Sequence, residues 1–165
     1  MIKHILYATD LGLYGPYIMK QVAILAQSTG ARVDILHVIE PMGLFAESII
    51  DAYMPEQERK YLRDQGLTEV IELIRLQVID TLKSEYSDAL KTINLSEVLV
   101  EVGQVAKVIV EQTQLRNSDL IALGGCSRQP YGGGITGSVV NKVLQLAPIP
   151  IYIIPMVNLE GLARK

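Results

Sequence analysis

The apolar positions of this chain fall into short, nearly unbroken runs, separated by longer stretches in which they recur every three or four residues. HILYAT (4–9) is the first run, β-branched and aromatic, as expected for a strand covered on both faces. Behind it, Ile18, Val22, Leu25 and Ala26 share one helical face, and Gly30 stands where a C-terminal cap belongs. RVDILHVIE (32–40) reads as a second buried strand. Residues 41–66 are less regular, punctuated by Pro41, Gly43, Pro55 and Gly66. A long helical stripe then runs through Leu67, Val70, Ile71, Ile74, Val78 and Leu82. VLVEV (98–102) is a third strand, and Gly103 opens a short helix carrying Val105, Val108 and Ile109. DLIALG (119–124) is a fourth. Val140, Val143, Leu144 and Ala147 mark a last helix ended by Pro148, and PIYIIP (150–155) is a fifth strand between prolines.

Strands alternating with helices imply a parallel sheet covered on both faces, joined by right-handed crossovers. Ligands of such sheets collect beyond the C-terminal strand ends, where the winding direction switches. The length of 165 residues suits a single domain spanning 1–165. A net charge of −3 supplies no basic field, so nucleic acid is not expected as the partner. Cys126 is the only cysteine, which excludes an intrachain disulfide and a cysteine-type zinc site and suits a reducing compartment. MIKHILYATD is too short an apolar run for a secretory signal, and no window nears the ~20 apolar residues of a membrane span. The expected location is the cytoplasm.

The candidate chemistry lies in LIALGGCSRQPYGGGITGS (120–138). Gly132-x-Gly134-x-x-Gly137 has the form of a dinucleotide fingerprint, but the strand ends at Gly124, well before it, and position 157 is Val. Neither a P-loop nor a G-x-S-x-G nucleophile motif occurs. A different spacing fits a phosphate cradle. Gly124 ends the strand and lets backbone amides approach closely, Ser127 and Arg128 follow, and Gly137-Ser138 opens a helix with free N–H groups.

That spacing resembles the universal stress protein family, which carries G-x2-G-x9-G-[ST] between its fourth strand and last helix. Here the segment reads G-GC-S-RQPYGGGIT-G-S, so Gly124, Gly137 and Ser138 match while Ser127 replaces the second glycine. KHILYATD, ILHVIEP, Gly103 with its helix, DLIALG and PIPIYIIP also fall in family order, over essentially the whole chain. The resemblance implies a flavodoxin-like, three-layer α/β fold of the adenine nucleotide α-hydrolase-like type, with five parallel strands in the order 3-2-1-4-5. It also implies binding of ATP, AMP or ADP, with Mg²⁺ held through the phosphates. By the same likeness, Ala8, Thr9 and Asp10 would border adenine and ribose, and Val38 and Leu123 would line the adenine pocket. Gly124, Ser127, Arg128, Gly137, Ser138 and Val139 would surround ribose and phosphates. A nucleotide-dependent sensor or regulator of the stress response is the function so implied. The family also implies a homodimer through the last strand, Ile151 to Ile154.

Departures and plainer readings stand beside these. A serine at 127 narrows the approach to a phosphate, though its amide and hydroxyl remain usable donors. An α-hydrolase enzyme would need S-G-G-x-D-S after strand one, where residues 10–15 read DLGLYG. Nothing supplies a general base beside the phosphates, so any ATP hydrolysis is expected to be slow. Asp10 also suits a turn acid, His4 and His37 satisfied structural histidines, and Cys126 a small loop residue or a redox group. Glycines 132–134 suit a phosphate flap or a plain connection. Met42, Leu44, Phe45, Ile49, Ile50, Tyr53 and Met54 give the 41–66 segment an apolar supply suited to packing, to a lid or to a protein partner. The alternative function is a dimeric interaction module of the same fold that binds no nucleotide.

Overall fold

Uninterrupted apolar runs become the central strands of a five-stranded parallel sheet in the order β3-β2-β1-β4-β5. The computed structural model describes residues 1–41, 44–61, 67–125 and 137–155. Its elements, in chain order, are β1 (His4–Ala8), α1 (Gly15–Thr29), β2 (Arg32–Ile39), α2 (Leu44–Tyr53), α3 (Glu56–Tyr61) and α4 (Leu67–Glu85). There follow α5 (Ser87–Leu90), β3 (Asn94–Val102), α6 (Val105–Leu115), β4 (Leu120–Gly124), α7 (Ser138–Leu146) and β5 (Ile151–Ile154). This is the flavodoxin-like architecture with the expected strand order.

Because side chains alternate along a strand, β1 feeds two cores. Ile5 and Tyr7 join Ile18, Met19 and Val22 of α1 and Val78 and Leu82 of α4. Leu6 joins Leu36, Leu99, Leu123, Ile109 of α6 and Val140 and Val143 of α7. Each fully buried Leu or Ile in these layers contributes about 1.5–3 kcal/mol relative to exposure. Helix α1 ends at Gly30, whose φ of 70° is the left-handed conformation a side chain would resist.

A polar clasp closes the N-terminal end of the sheet. His4 Nε2 lies 2.8 Å from Asp34 Oδ2, with both side chains buried. The Arg116 guanidinium, arriving from the end of α6, donates to Asp34 and to Glu97 of β3. Burial alone would raise the Asp34 carboxyl, but the Arg116 hydrogen bond and the charges of His4 and Arg116 outweigh it and hold the group below its ordinary value. Asp119 accepts from the amides of Lys3 (2.8 Å) and His4 (3.0 Å), tying β1 to the start of β4. The clasp stands at the opposite end of the strands from the exits of β1 and β4.

Three boundaries depart from the periodicity. The irregular 41–66 segment contains two helices, α2 and α3, while Met42, Gly43 and 62–66 lie outside the described residues. A one-turn helix, α5, follows α4. Strand β3 begins at Asn94 rather than Val98, because Asn94, Leu95 and Glu97 pair with β2 at the sheet edge with exposed side chains, Ser96 being skipped at a register shift between Val33 and Asp34. Without a buried face, these four residues carry no apolar alternation to read.

Candidate functional site

Strand order fixes where a ligand could sit. β1 lies between β2 and β4. The chain leaves β1 for α1 on one face, and α7, which follows β4, packs on the other. The two exits diverge at the switch point of the sheet, the place where ligands of such sheets collect. Ala8 pairs in register with Leu36 of β2 and Leu123 of β4. Ala8, Val38, Leu123 and Val139 belong to one apolar cluster on the α6–α7 side. Val38 and Leu123, expected along the base, thus share this cluster with Ala8, expected at the adenine and ribose border, and Val139, expected near ribose and phosphates.

The β1 exit is tightly hydrogen-bonded. Thr9 N donates to Leu36 O (2.9 Å), and His37 Nδ1 lies 3.0 Å from Thr9 O. A carbonyl can only accept, so His37 carries its proton on Nδ1. His37 is thus satisfied, as its plainer reading had it, yet it holds the backbone at the β1 exit. Leu11 N donates to Thr9 Oγ1 (3.1 Å), Gly12 N to Asp10 Oδ1 (3.0 Å), and Gly15 N to Gly12 O (2.8 Å). Asp10 is an exposed turn acid, and its carboxylate can accept further bonds. Leu11 sits at φ 55°, a conformation this turn imposes on a non-glycine residue.

At the β4 exit Gly125 N donates to Ile154 O, and Gly137 N donates to Gly125 O, each at 2.8 Å. The second bond seats the start of α7 directly on the end of β4. The first α7 backbone bond runs from Asn141 N to Gly137 O (3.1 Å). Helix geometry therefore leaves the amides of Ser138, Val139 and Val140 without an intrahelical acceptor, at the positive end of the dipole. Gly137 has φ −68° and ψ 163°, extended backbone open to any residue, so its value there is close approach rather than conformational freedom.

Sequence reasoning overlooked two tyrosines beneath the β1 exit. Tyr7 and Tyr86 are 1% and 2% exposed, and neither hydroxyl has a hydrogen-bond partner among the described residues. The Thr9 hydroxyl lies beside both without meeting hydrogen-bond geometry. Burial, only partly offset by Thr9, pushes Tyr86 up to about 12 and Tyr7 higher still, and the Asp10 charge adds to both. The signal available in the sequence was Tyr7, an aromatic with a polar tip between aliphatic neighbours in a central strand.

Ser127 and Arg128 lie outside the described residues, as do Cys126 and glycines 132–134. Among the described residues no group of His, Cys, Asp or Glu could hold a metal ion, and no helix is long and apolar enough to cross a membrane.

Solved structures with this fold are numerous. Hypothetical protein MJ0577 is 23% identical, with a TM-score of 0.66 over 96% of this chain and 99% of its own. Universal stress protein UspA from Lactobacillus plantarum is 18% identical, with a TM-score of 0.69 over 93% of this chain and 97% of its own. The universal stress protein from Archaeoglobus fulgidus in complex with dAMP is 16% identical, with a TM-score of 0.56 over 93% and 98%. No curated protein sequence matches the chain. The family model for the universal stress protein family matches residues 1–155. With the strand order in agreement, the chain belongs to the universal stress protein family.

Proposed function

We propose that the chain binds an adenine nucleotide in the cleft between the exits of β1 and β4 and acts as a nucleotide-dependent regulator. The observation that carries this reading is the Gly137–Gly125 bond, which sets the unpaired amides of α7 over the β4 exit, with β1 as the adjacent strand. The dAMP complex of the Archaeoglobus fulgidus relative supports the choice of an adenine nucleotide.

The residues suit such a ligand from end to end. Ala8, Val38, Leu123 and Val139 offer an apolar wall for the base. Asp10 offers a carboxylate to ribose hydroxyls, next to the backbone of Thr9. Gly124, Gly137 and Ser138 offer close approach, amides and a hydroxyl to phosphate, and Ser127 and Arg128 stand in sequence to add donors. ATP, AMP and ADP share every feature used here. Mg²⁺ would be carried by the phosphates, where it neutralises charge. Without a general base in this set, hydrolysis would be slow and the nucleotide a signal rather than a substrate.

The same reading includes a homodimer through β5 and a cytoplasmic location. Pro150 and Ile154 carbonyls accept from β4, at Ile121 and Gly125. Parallel pairing alternates, so the backbone groups of Ile151 and Ile153 face the free edge, ready to pair with a second copy.

A second reading, an interaction module, draws on apolar surface elsewhere. Tyr53 of α2 is 85% exposed, and Leu73 and Leu76 of α4 are 66% and 62% exposed. A groove of about 220 Å³ is lined by Ile49, Tyr53, Met54, Pro55 and Glu58. Chromatography of the supernatant from denatured protein, purified without added nucleotide, separates the two readings. Stoichiometric adenine nucleotide supports the first. A clean supernatant, with no binding of added Mg-ATP up to millimolar, leaves the second.

A further inference from the structure

Gly15 opens α1 in ordinary helical backbone, since the described glycines with positive φ are Gly30 and Gly103. Alanine is the better helix former in that conformation, so glycine at this position needs another reason. A Cβ built on Gly15 would lie 1.9 Å from the Tyr86 hydroxyl oxygen, 3.0 Å from Cζ and 3.4 Å from Cε1. The phenol oxygen fills the space that a side chain at 15 would take.

Tyr86 is firmly held. It follows the last residue of α4, its amide donates to Leu82 O (3.1 Å), and its ring packs in the same core as Tyr7 and Ile18. Its hydroxyl has no hydrogen-bond partner among the described residues, so steric fit places it against Gly15. From Gly15 the contact passes up the turn. Gly15 N holds Gly12 O, and Gly12 N holds Asp10 Oδ1. The position of Gly15 over Tyr86 is thereby linked, through Gly12, to the Asp10 carboxylate.

We infer that Tyr86 is a positioning residue for the 10–15 turn and, through it, for Asp10, acting by filling the side-chain space of Gly15. The role of Asp10 toward a nucleotide rests on the proposed function above. The lock between Tyr86 and Gly15 does not.

The test is a size swap using Gly15→Ala, Tyr86→Phe and the double variant of the full chain. Amide hydrogen exchange at Leu11 and Gly12 and calorimetric titration with dAMP are the two readouts. Gly15→Ala alone is expected to speed exchange at Gly12 by about ten-fold or more, and Tyr86→Phe alone by about three-fold. The double variant, in which the methyl takes the place of the lost oxygen after a shift of a few tenths of an ångström, returns to within about three-fold of the parent. The dAMP affinities are expected in the same order. Parent-like exchange in Gly15→Ala overturns the inference, as does a double variant no better than Gly15→Ala. A lowered melting temperature with unchanged exchange at Leu11 and Gly12 also overturns it, because the contact is then structural only. Rescue of exchange in a protein that binds no dAMP supports the lock and sinks the nucleotide reading alone.

Discussion

The amide of Gly137 donates to the carbonyl of Gly125 at 2.8 Å, joining the start of α7 to the end of β4, with eleven residues between the two glycines in sequence. This bond holds the α7 N-terminus at the C-terminal end of β4. Its extended backbone accepts a β-branched residue, so Gly137→Val should change the melting temperature by less than about 3 °C. On the proposed reading, what the valine removes is the close approach of a phosphate.

The buried clasp gives the fold a defined acid limit. The Asp34 carboxyl is held below its ordinary value of 3.8, so the unfolded chain takes up that proton more readily than the folded one. Its stabilisation is complete above that value and is lost as pH falls through the lower, folded one. Asp119, held down by the amides of Lys3 and His4, contributes in the same direction. Asp34→Asn leaves His4 and Arg116 facing a neutral amide and should cost about 3 kcal/mol at neutral pH. The same change should flatten the remaining dependence below pH 4, as denaturant melts at several pH values would show.

Alkaline stability should be limited by the two phenols. Tyr86 is raised to about 12 from 10.0, and Tyr7 is raised further, both chiefly by burial. The neutral forms are favoured by the fold, so this stabilisation is complete below pH 10 and is lost as pH climbs toward 12. Absorbance titration at alkaline pH should show two of the eight tyrosines ionising only with unfolding. Eight phenols titrating reversibly near their ordinary value would contradict that.

The free edge of β5 offers a test of assembly. Ile153→Pro removes an N–H that faces away from β4 and leaves the β4–β5 ladder intact. Sedimentation should show monomers for this variant against dimers for the parent. Pro155 already removes the next outward donor, which limits the edge to a short stretch.

Legibility in the sequence followed burial. The three central strands could be read because Ile5, Leu6, Ile35, Leu36 and Ile121 sit in runs shielded on both faces, and the edge strands β3 and β5 followed from shorter β-branched runs. Family spacing also picked out Ala8, Val38, Leu123 and Val139, which the fold gathers into one apolar cluster. Helices α2 and α3 were hidden by Pro41, Gly43, Pro55 and Gly66, which punctuate short helices as readily as loops. Contacts between residues far apart in sequence, such as His4 with Asp34 or Gly15 with Tyr86, leave no periodic trace. Only packing brings them together.

The most direct test of the central claim is calorimetric titration of nucleotide-free protein with Mg-ATP, run beside Gly137→Val. Micromolar binding by the parent, weakened at least about ten-fold in the valine variant while its melting temperature holds, is the expected result. A parent that binds nothing up to millimolar Mg-ATP, or a valine variant that binds as well as the parent, would contradict a phosphate cradle at the start of α7.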